Sequence, residues 1–153
     1  MRRALGLDVG DRTVGLARSD ELGLTAQGLP TLARSSIETD LESIAEVCRE
    51  HSIEVLVVGL PLNMDGSEGP RAQISRRFGD RLGQRAELPV EYWDERLTTA
   101  EVERVLLAAD VSRAKRKRVV DKLAAQVILQ SWMEAQASRP RDYDPDPEPE
   151  EGA

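Results

Sequence analysis

The chain has 153 residues, the length of one domain, with 21 Lys or Arg against 28 Asp or Glu and a formal net charge of -7. A single histidine, His51, and a single cysteine, Cys48, exclude an intrachain disulfide, a structural zinc site of four Cys/His ligands and a three-histidine catalytic centre. Aromatic residues make up only 3% of the chain, so an aliphatic core is expected.

Residues Ala4 to Val9 form a short apolar run, Gly10-Asp11 supplies turn chemistry, and Thr13 to Ala17 resumes with β-branched and small residues, which predicts a hairpin. A third strand is expected between Leu22 and Ala33. Ser35 and Glu38 have capping-box spacing ahead of Ile37, Leu41, Ile44 and Cys48, which recur at helical intervals. Cys48 then belongs to the core and His51 to the surface at the helix end. The continuous run Val55-Leu56-Val57-Val58 reads as a strand buried on both faces. Gly59 to Gly69 is a loop, and Pro70 suits the first turn of a second helix that carries Ile74, Phe78 and Leu82 inward.

Leu88 to Trp93 predicts another strand. Thr98 and Glu101 repeat the capping-box spacing ahead of a third helix with Val102, Val105, Leu106 and Ala109. A last helix is expected from about Ser112 to about Gln136, with Val120, Leu123, Ala124, Val127 and Ile128 as its inward stripe. This order, an antiparallel meander followed by α/β alternation, predicts an α/β fold with a five-stranded mixed sheet flanked by helices.

From Pro140 to Ala153 the sequence reads PRDYDPDPEPEEGA, a composition that cannot bury a core and predicts a disordered acidic tail after a domain of residues 1–139. The tail holds -5 of the charge, leaving the body at -2. Cations bunch in the body at Arg113, Lys115, Arg116, Lys117 and Arg118, and again at Arg71, Arg76, Arg77, Arg81 and Arg85, where they could attract a phosphate backbone or simply solvate helix faces. No apolar stretch approaches the ~18 residues of a membrane span, and a lone cysteine without a signal peptide leads to the expectation of a cytoplasmic protein.

Abundant carboxylates are the natural reactive groups of such a chain. Asp8 stands inside the apolar segment LGLDVG, where an ionised carboxylate is costly unless it is paired or binds a cation, although it could also serve the turn that follows. Asp94 and Glu95 follow a strand at its carboxyl end, where α/β sheets bind ligands; Arg96 could instead neutralise one of them at the surface. Asp121 borders the inward face of the last helix, or pairs with Lys117 or Lys122. Taken together, three acids from two strands and a helix suit hard divalent ions such as Mg²⁺ and could hold two of them for in-line phosphodiester chemistry. Pro61, Asn63, Asp65 and Ser67 among glycines suit a substrate-facing loop, and with no Lys after a glycine it is not a P-loop.

These residues lie in LGLDVGDRTVGLARSD (5–20), VVGLPLNMDGSEGPRA (57–72), WDERLTTAE (93–101) and KRKRVVDKLAAQVILQ (115–130), and through them the chain resembles the YqgF family of the ribonuclease H-like superfamily. That resemblance implies a ribonuclease H-like fold and a metal-dependent nuclease, hydrolysing phosphodiester bonds in pre-16S rRNA 5′-end maturation, with a Holliday junction resolvase acting on branched DNA, or a catalytically weak nucleic-acid-binding module, as the alternatives. It implies Asp8, Glu95 and Asp121 as catalytic acids and ligands of Mg²⁺ or Mn²⁺, two ions being expected, with Asp94 as the alternative ligand. Arg12, Asn63, Arg96, Thr98, Thr99 and the run Lys115, Arg116, Lys117 and Arg118 are the implied substrate contacts. A junction-cutting enzyme needs two sites and hence a homodimer. The chain departs from some related resolvases three residues after Asp121, where Ala124 replaces a second helical acid.

Overall fold

The computed structural model describes residues 2–97 and 113–137, with the side chains of 113–122 outside that description. The predicted hairpin is β1 (Ala4–Val9) and β2 (Thr13–Ser19), followed by β3 (Ala26–Ala33), α1 (Ile37–Glu50), β4 (Val55–Leu60), α2 (Pro70–Ala86), β5 (Val90–Asp94), a 3-10 turn (Glu95–Leu97) and α3 (Arg113–Ala137). The helix expected between Thr98 and Ala109 and the tail from Pro140 lie outside the described residues. The strands form one mixed sheet in the order β3-β2-β1-β4-β5. β1 pairs antiparallel with β2, and β2 with β3, whereas β1–β4 and β4–β5 are parallel.

Strand alternation sorts the core into two layers. Leu5, Leu7 and Val9 of β1 and Leu56 and Val58 of β4 face α1 and α2, packing with Leu41, Ile44, Phe78 and Leu82. Ala4 of β1 and Val55 and Val57 of β4 face the other way, onto Ala125, Ile128, Leu129, Trp132 and Met133 of α3. Among the described residues the buried apolar side chains are aliphatic or sulfur-containing except Phe78 and Trp132.

Three local expectations need correction and a fourth is narrowed. Within the expected span from Leu22 to Ala33, β3 starts at Ala26, because the Asp20 carboxylate accepts from the Leu24 and Thr25 amides and holds residues 20–25 in a turn. The cap of α1 is Ser36, not Ser35; its hydroxyl accepts from the Thr39 amide, while the Ser35 amide donates to the buried Asp40 carboxylate. On α2, Ile74 is 43% exposed, and the inward face is completed by Ala72, Ser75, Gly79 and Gly83, small residues that let the helix lie close to β5. On α3 Ile128 is buried as expected, but Leu123, Ala124 and Val127 are only half-buried and the rest of the buried stripe is Ala125, Leu129, Trp132 and Met133; the side chain of Val120 lies outside the described residues.

That choice of face has a cause in the sheet. A Cβ on Gly6 would stand 2.7 Å from the Leu129 Cβ and 3.1 Å from the Ala125 carbonyl oxygen, so α3 rests directly on the β1 backbone. At the edge of the sheet, Gln130 accepts from the Ala26 amide and donates to the Leu24 carbonyl, while Gln126 donates to the Ala26 carbonyl. These contacts fix both the rotation of α3 and its position along β3.

Candidate active site

β1, β4 and β5 are mutually parallel, so their carboxyl ends gather Asp8, the Leu60–Pro70 connection and the 3-10 turn at one end of the sheet. Asp8 shares the face of Ala4 and Gly6, the face under α3, and pairs in register with Gly15. A Cβ on Gly15 would touch the Asp8 Cβ and the Ala125 Cβ, both at 3.5 Å, so Asp8 lies beside Ala125. Residue 121 lies one helical turn before Ala125, on the same side of α3. Its side chain is outside the described residues, as are Thr98, Thr99 and the side chains of Lys115, Arg116, Lys117 and Arg118.

Glu95 folds back over the floor of the same face. A Cβ on Gly59 would meet Ile128 Cδ1 at 2.5 Å and Glu95 Oε1 at 2.8 Å, which places the carboxyl group between β4 and α3. Glu95 and Asp8 are joined by a side-chain hydrogen bond. Burial, then the Asp8 charge and that bond, push the Glu95 carboxyl up to about 7, and Arg71 opposes the shift. The arrangement thus concentrates negative charge where an ion or proton has to offset it, and every donor is a carboxylate oxygen. Such a donor set fits a hard divalent cation. Among the described residues Asp8 and Glu95 are the acids brought together; no group of three or more His, Cys, Asp or Glu ligands forms among them.

Asp94 goes elsewhere. Alternation along β5 gives it the face of Tyr92, opposite to that of Trp93. Its carboxylate accepts from Arg96 Nε at 3.0 and 3.1 Å and from Nη2 at 2.7 Å, which holds it below the usual carboxylate range. Arg96 Nη1 also donates to the Met64 carbonyl at 3.1 Å, so this guanidinium ties the β4–α2 loop to the end of β5. Asn63 lies within that loop, its amide donating to the Ser67 hydroxyl and its backbone N–H to the Ser67 carbonyl. Arg12 is exposed on the β1–β2 turn, whose Gly10 carbonyl accepts from Arg34. Arg34 is in turn held by the buried Asp40 at 2.9 Å.

Arg71 is the residue that sequence reading counts only among the cations of the second helix. It follows Pro70 in the first turn of α2, acts electrostatically on Glu95, and is ion-paired with the exposed Asp11 at 3.1 Å. The signal for it was its position, immediately after the loop that leaves the carboxyl end of β4.

A family model described as "RuvX: Holliday junction resolvase" matches residues 2–135. The chain belongs to the RuvX family, also called YqgF. Among RuvX relatives, one from Myxococcus xanthus is 55% identical over 141 residues, covering 92% of this chain and 93% of its own, and one from Symbiobacterium thermophilum is 56% identical over 135 residues, covering 88% and 94%. Both bear the name "Putative pre-16S rRNA nuclease". In fold, this RuvX chain is similar to Thermus thermophilus RuvC in complex with a Holliday junction, with a TM-score of 0.61 at 15% identity over 90% of this chain and 96% of that one. The RuvX assignment and the sheet order agree on a ribonuclease H-like architecture in a family of nucleases, hydrolases of phosphodiester bonds.

Proposed function

We propose that this chain is a divalent-metal-dependent nuclease of pre-16S rRNA 5′-end maturation, with Asp8, Glu95 and Asp121 as its acids. The observation that carries the reading is the pairing of Asp8 with Glu95 across the glycine floor, one helical turn from residue 121. Mg²⁺ or Mn²⁺, two ions in this proposal, would polarise the scissile phosphate and lower the pKa of attacking water when bound by these acids.

The chain's own residues set the conditions for that chemistry. Asp8 is fixed by a central strand hydrogen-bonded on both sides, which limits its freedom before any substrate arrives. Glu95 hangs from a 3-10 turn that Arg96 anchors through Asp94, with the RNA contact assigned to the exposed part of the same guanidinium. Arg12, Asn63, Thr98 and Thr99 are proposed to border the substrate path. Lys115 to Arg118, in the first turns of α3, supply sequence-independent attraction for the backbone.

The rRNA substrate is supported by the names of the closely similar relatives. Branched DNA is the second reading, favoured by the description of the family model, and it would require a homodimer to place two sites on one junction. The deciding experiment is side-by-side cleavage of pre-rRNA and four-way junction DNA by wild type and Asp8→Asn, with Mg²⁺ or Mn²⁺ present. Wild type should cut the rRNA and Asp8→Asn should lose at least a hundredfold, about 2.7 kcal/mol of transition-state stabilisation, while keeping its melting temperature. Unchanged cleavage by Asp8→Asn would overturn the assignment, and preference for the junction would favour the second reading.

A further inference from the structure

Resting on the nuclease reading, we propose that Met64 is a substrate contact that enters a base step of the nucleic acid beside the scissile phosphate. Met64 is 97% exposed, more than any other large apolar side chain among the described residues. Leu22 and Leu24 are also exposed, but they sit on the β2–β3 turn at the opposite end of the sheet; Ile74 lies along the α2 helix, and Leu97, about half as exposed as Met64, closes the 3-10 turn of Glu95 with its carbonyl held by the Ser131 hydroxyl on α3. Met64 stands at the end of the sheet where β4 and β5 finish, on the loop that Arg96 ties to Asp94, the residue before Glu95.

The exposure does not come from a loose loop. The Asn63 amide nitrogen of the backbone donates to the Ser67 carbonyl at 3.0 Å, and the Gly66 N–H returns to the Asn63 carbonyl at 2.9 Å. Asp65 Oδ1 accepts from both the Ser67 N–H and its hydroxyl, at 2.9 and 2.6 Å, while Gly66 takes the positive φ of +86° that closes the turn. Polar groups of the loop are turned on one another, and the Arg96 guanidinium holds the Met64 carbonyl from below. What remains outward is the thioether, an apolar group on a stiffened support.

Burying an exposed apolar side chain is favourable wherever a matching surface is offered, and the face of a nucleobase is such a surface. An unbranched thioether adapts to irregular apolar gaps and makes favourable sulfur–aromatic contacts. Apolar wedges that enter base steps partially unstack them, and structured RNA presents bases in this way at loops, bulges and ends. From the same end of the sheet as Asp8 and Glu95, Met64 would hold an unstacked nucleotide in register with the cleaved bond, which makes it a determinant of which structure is cut.

The test uses the substrate that wild type cleaves, carrying 2-aminopurine next to the mapped cut, bound to the full chain in the Asp8→Asn background. Binding should raise the 2-aminopurine emission when Met64 is present, and Met64→Ala should abolish the rise while leaving the melting temperature unchanged. Cleavage in the Asp8 background should fall about tenfold with Met64→Ala, the low end of what burying an apolar side chain of this size contributes, and Met64→Leu, which keeps the apolar bulk, should restore most of it. Equal emission and equal cleavage for Met64→Ala would overturn the inference and leave the nuclease reading standing. A failure of Met64→Leu to restore either readout would also overturn it. Absence of cleavage by wild type itself would remove both.

Discussion

Replacing Gly6 by alanine tests whether the approach of α3 to the sheet sets the spacing of the acids. The new Cβ would lie 2.7 Å from the Leu129 Cβ and 3.1 Å from the Ala125 carbonyl, and neither neighbour is the end of a flexible side chain. Restoring ordinary contact requires α3 and β1 to part by roughly 0.7 Å, in a core packed too densely to absorb it locally. Overpacking of this kind costs about 1–3 kcal/mol, which lowers the melting temperature by about 3–10 °C for a domain of this size. The same movement carries residue 121 away from Asp8, and misplacement on this scale is expected to reduce kcat by about 10- to 100-fold. Gly15→Ala is the control, because its Cβ would meet Ala125 and Asp8 at an ordinary 3.5 Å. Thermal unfolding and single-turnover cleavage of both variants provide the readout. Gly6→Ala with wild-type stability and rate, or Gly15→Ala as damaged as Gly6→Ala, would refute the reasoning.

Two further outcomes are expected. Burial and Asp8 raise the Glu95 carboxyl from 4.5 to about 7, so the native state binds more protons than the unfolded chain in that window. Metal-free stability should therefore fall as pH rises between about 4.5 and 7, by at most about 1.4 kcal/mol per pH unit, and Glu95→Gln should flatten that slope; urea titrations across the range that coincide for the two proteins would contradict it. Asp40 is 1% exposed and accepts from Arg34 and from the Ser35 amide, so Asp40→Ala should destabilise by about 3 kcal/mol through the stranded Arg34 guanidinium, and a loss below about 1 kcal/mol in chemical denaturation would show that the pair is dispensable.

The strands were legible in the sequence because their signals are local. The β-branched run at Val55 and the turn chemistry at Gly10-Asp11 each specify an element without reference to the rest of the chain. Asp8 was legible for a related reason, since a carboxylate in an apolar strand is conspicuous wherever the strand goes. The rotation of α3 was not, because periodicity alone tolerates neighbouring stripes and the choice between them is made by Gly6 on β1 and by the bonds of Gln126 and Gln130 to residues 24–26. Asp94 and Glu95 could not be told apart for the same cause: which one turns toward Asp8 depends on which face of β5 lies under α3. Arg71 could not be singled out from the other cations of the second helix because its significance lies in its electrostatic action on Glu95 across 24 residues of chain rather than in any spacing.

The glutamines at 126 and 130 bear on self-association. β3 is the outermost strand on its side of the sheet, and an outer strand offers its backbone groups to any other strand that comes alongside. At Ala26 those groups are already taken by the two side-chain amides, which imitate a neighbouring strand for the length of one residue. Further along, Pro30 has no N–H to give. Copies of the chain are thereby discouraged from joining edge to edge through β3 into a continuous sheet, and the same helix that bounds the catalytic face also guards the margin of the fold against polymerisation.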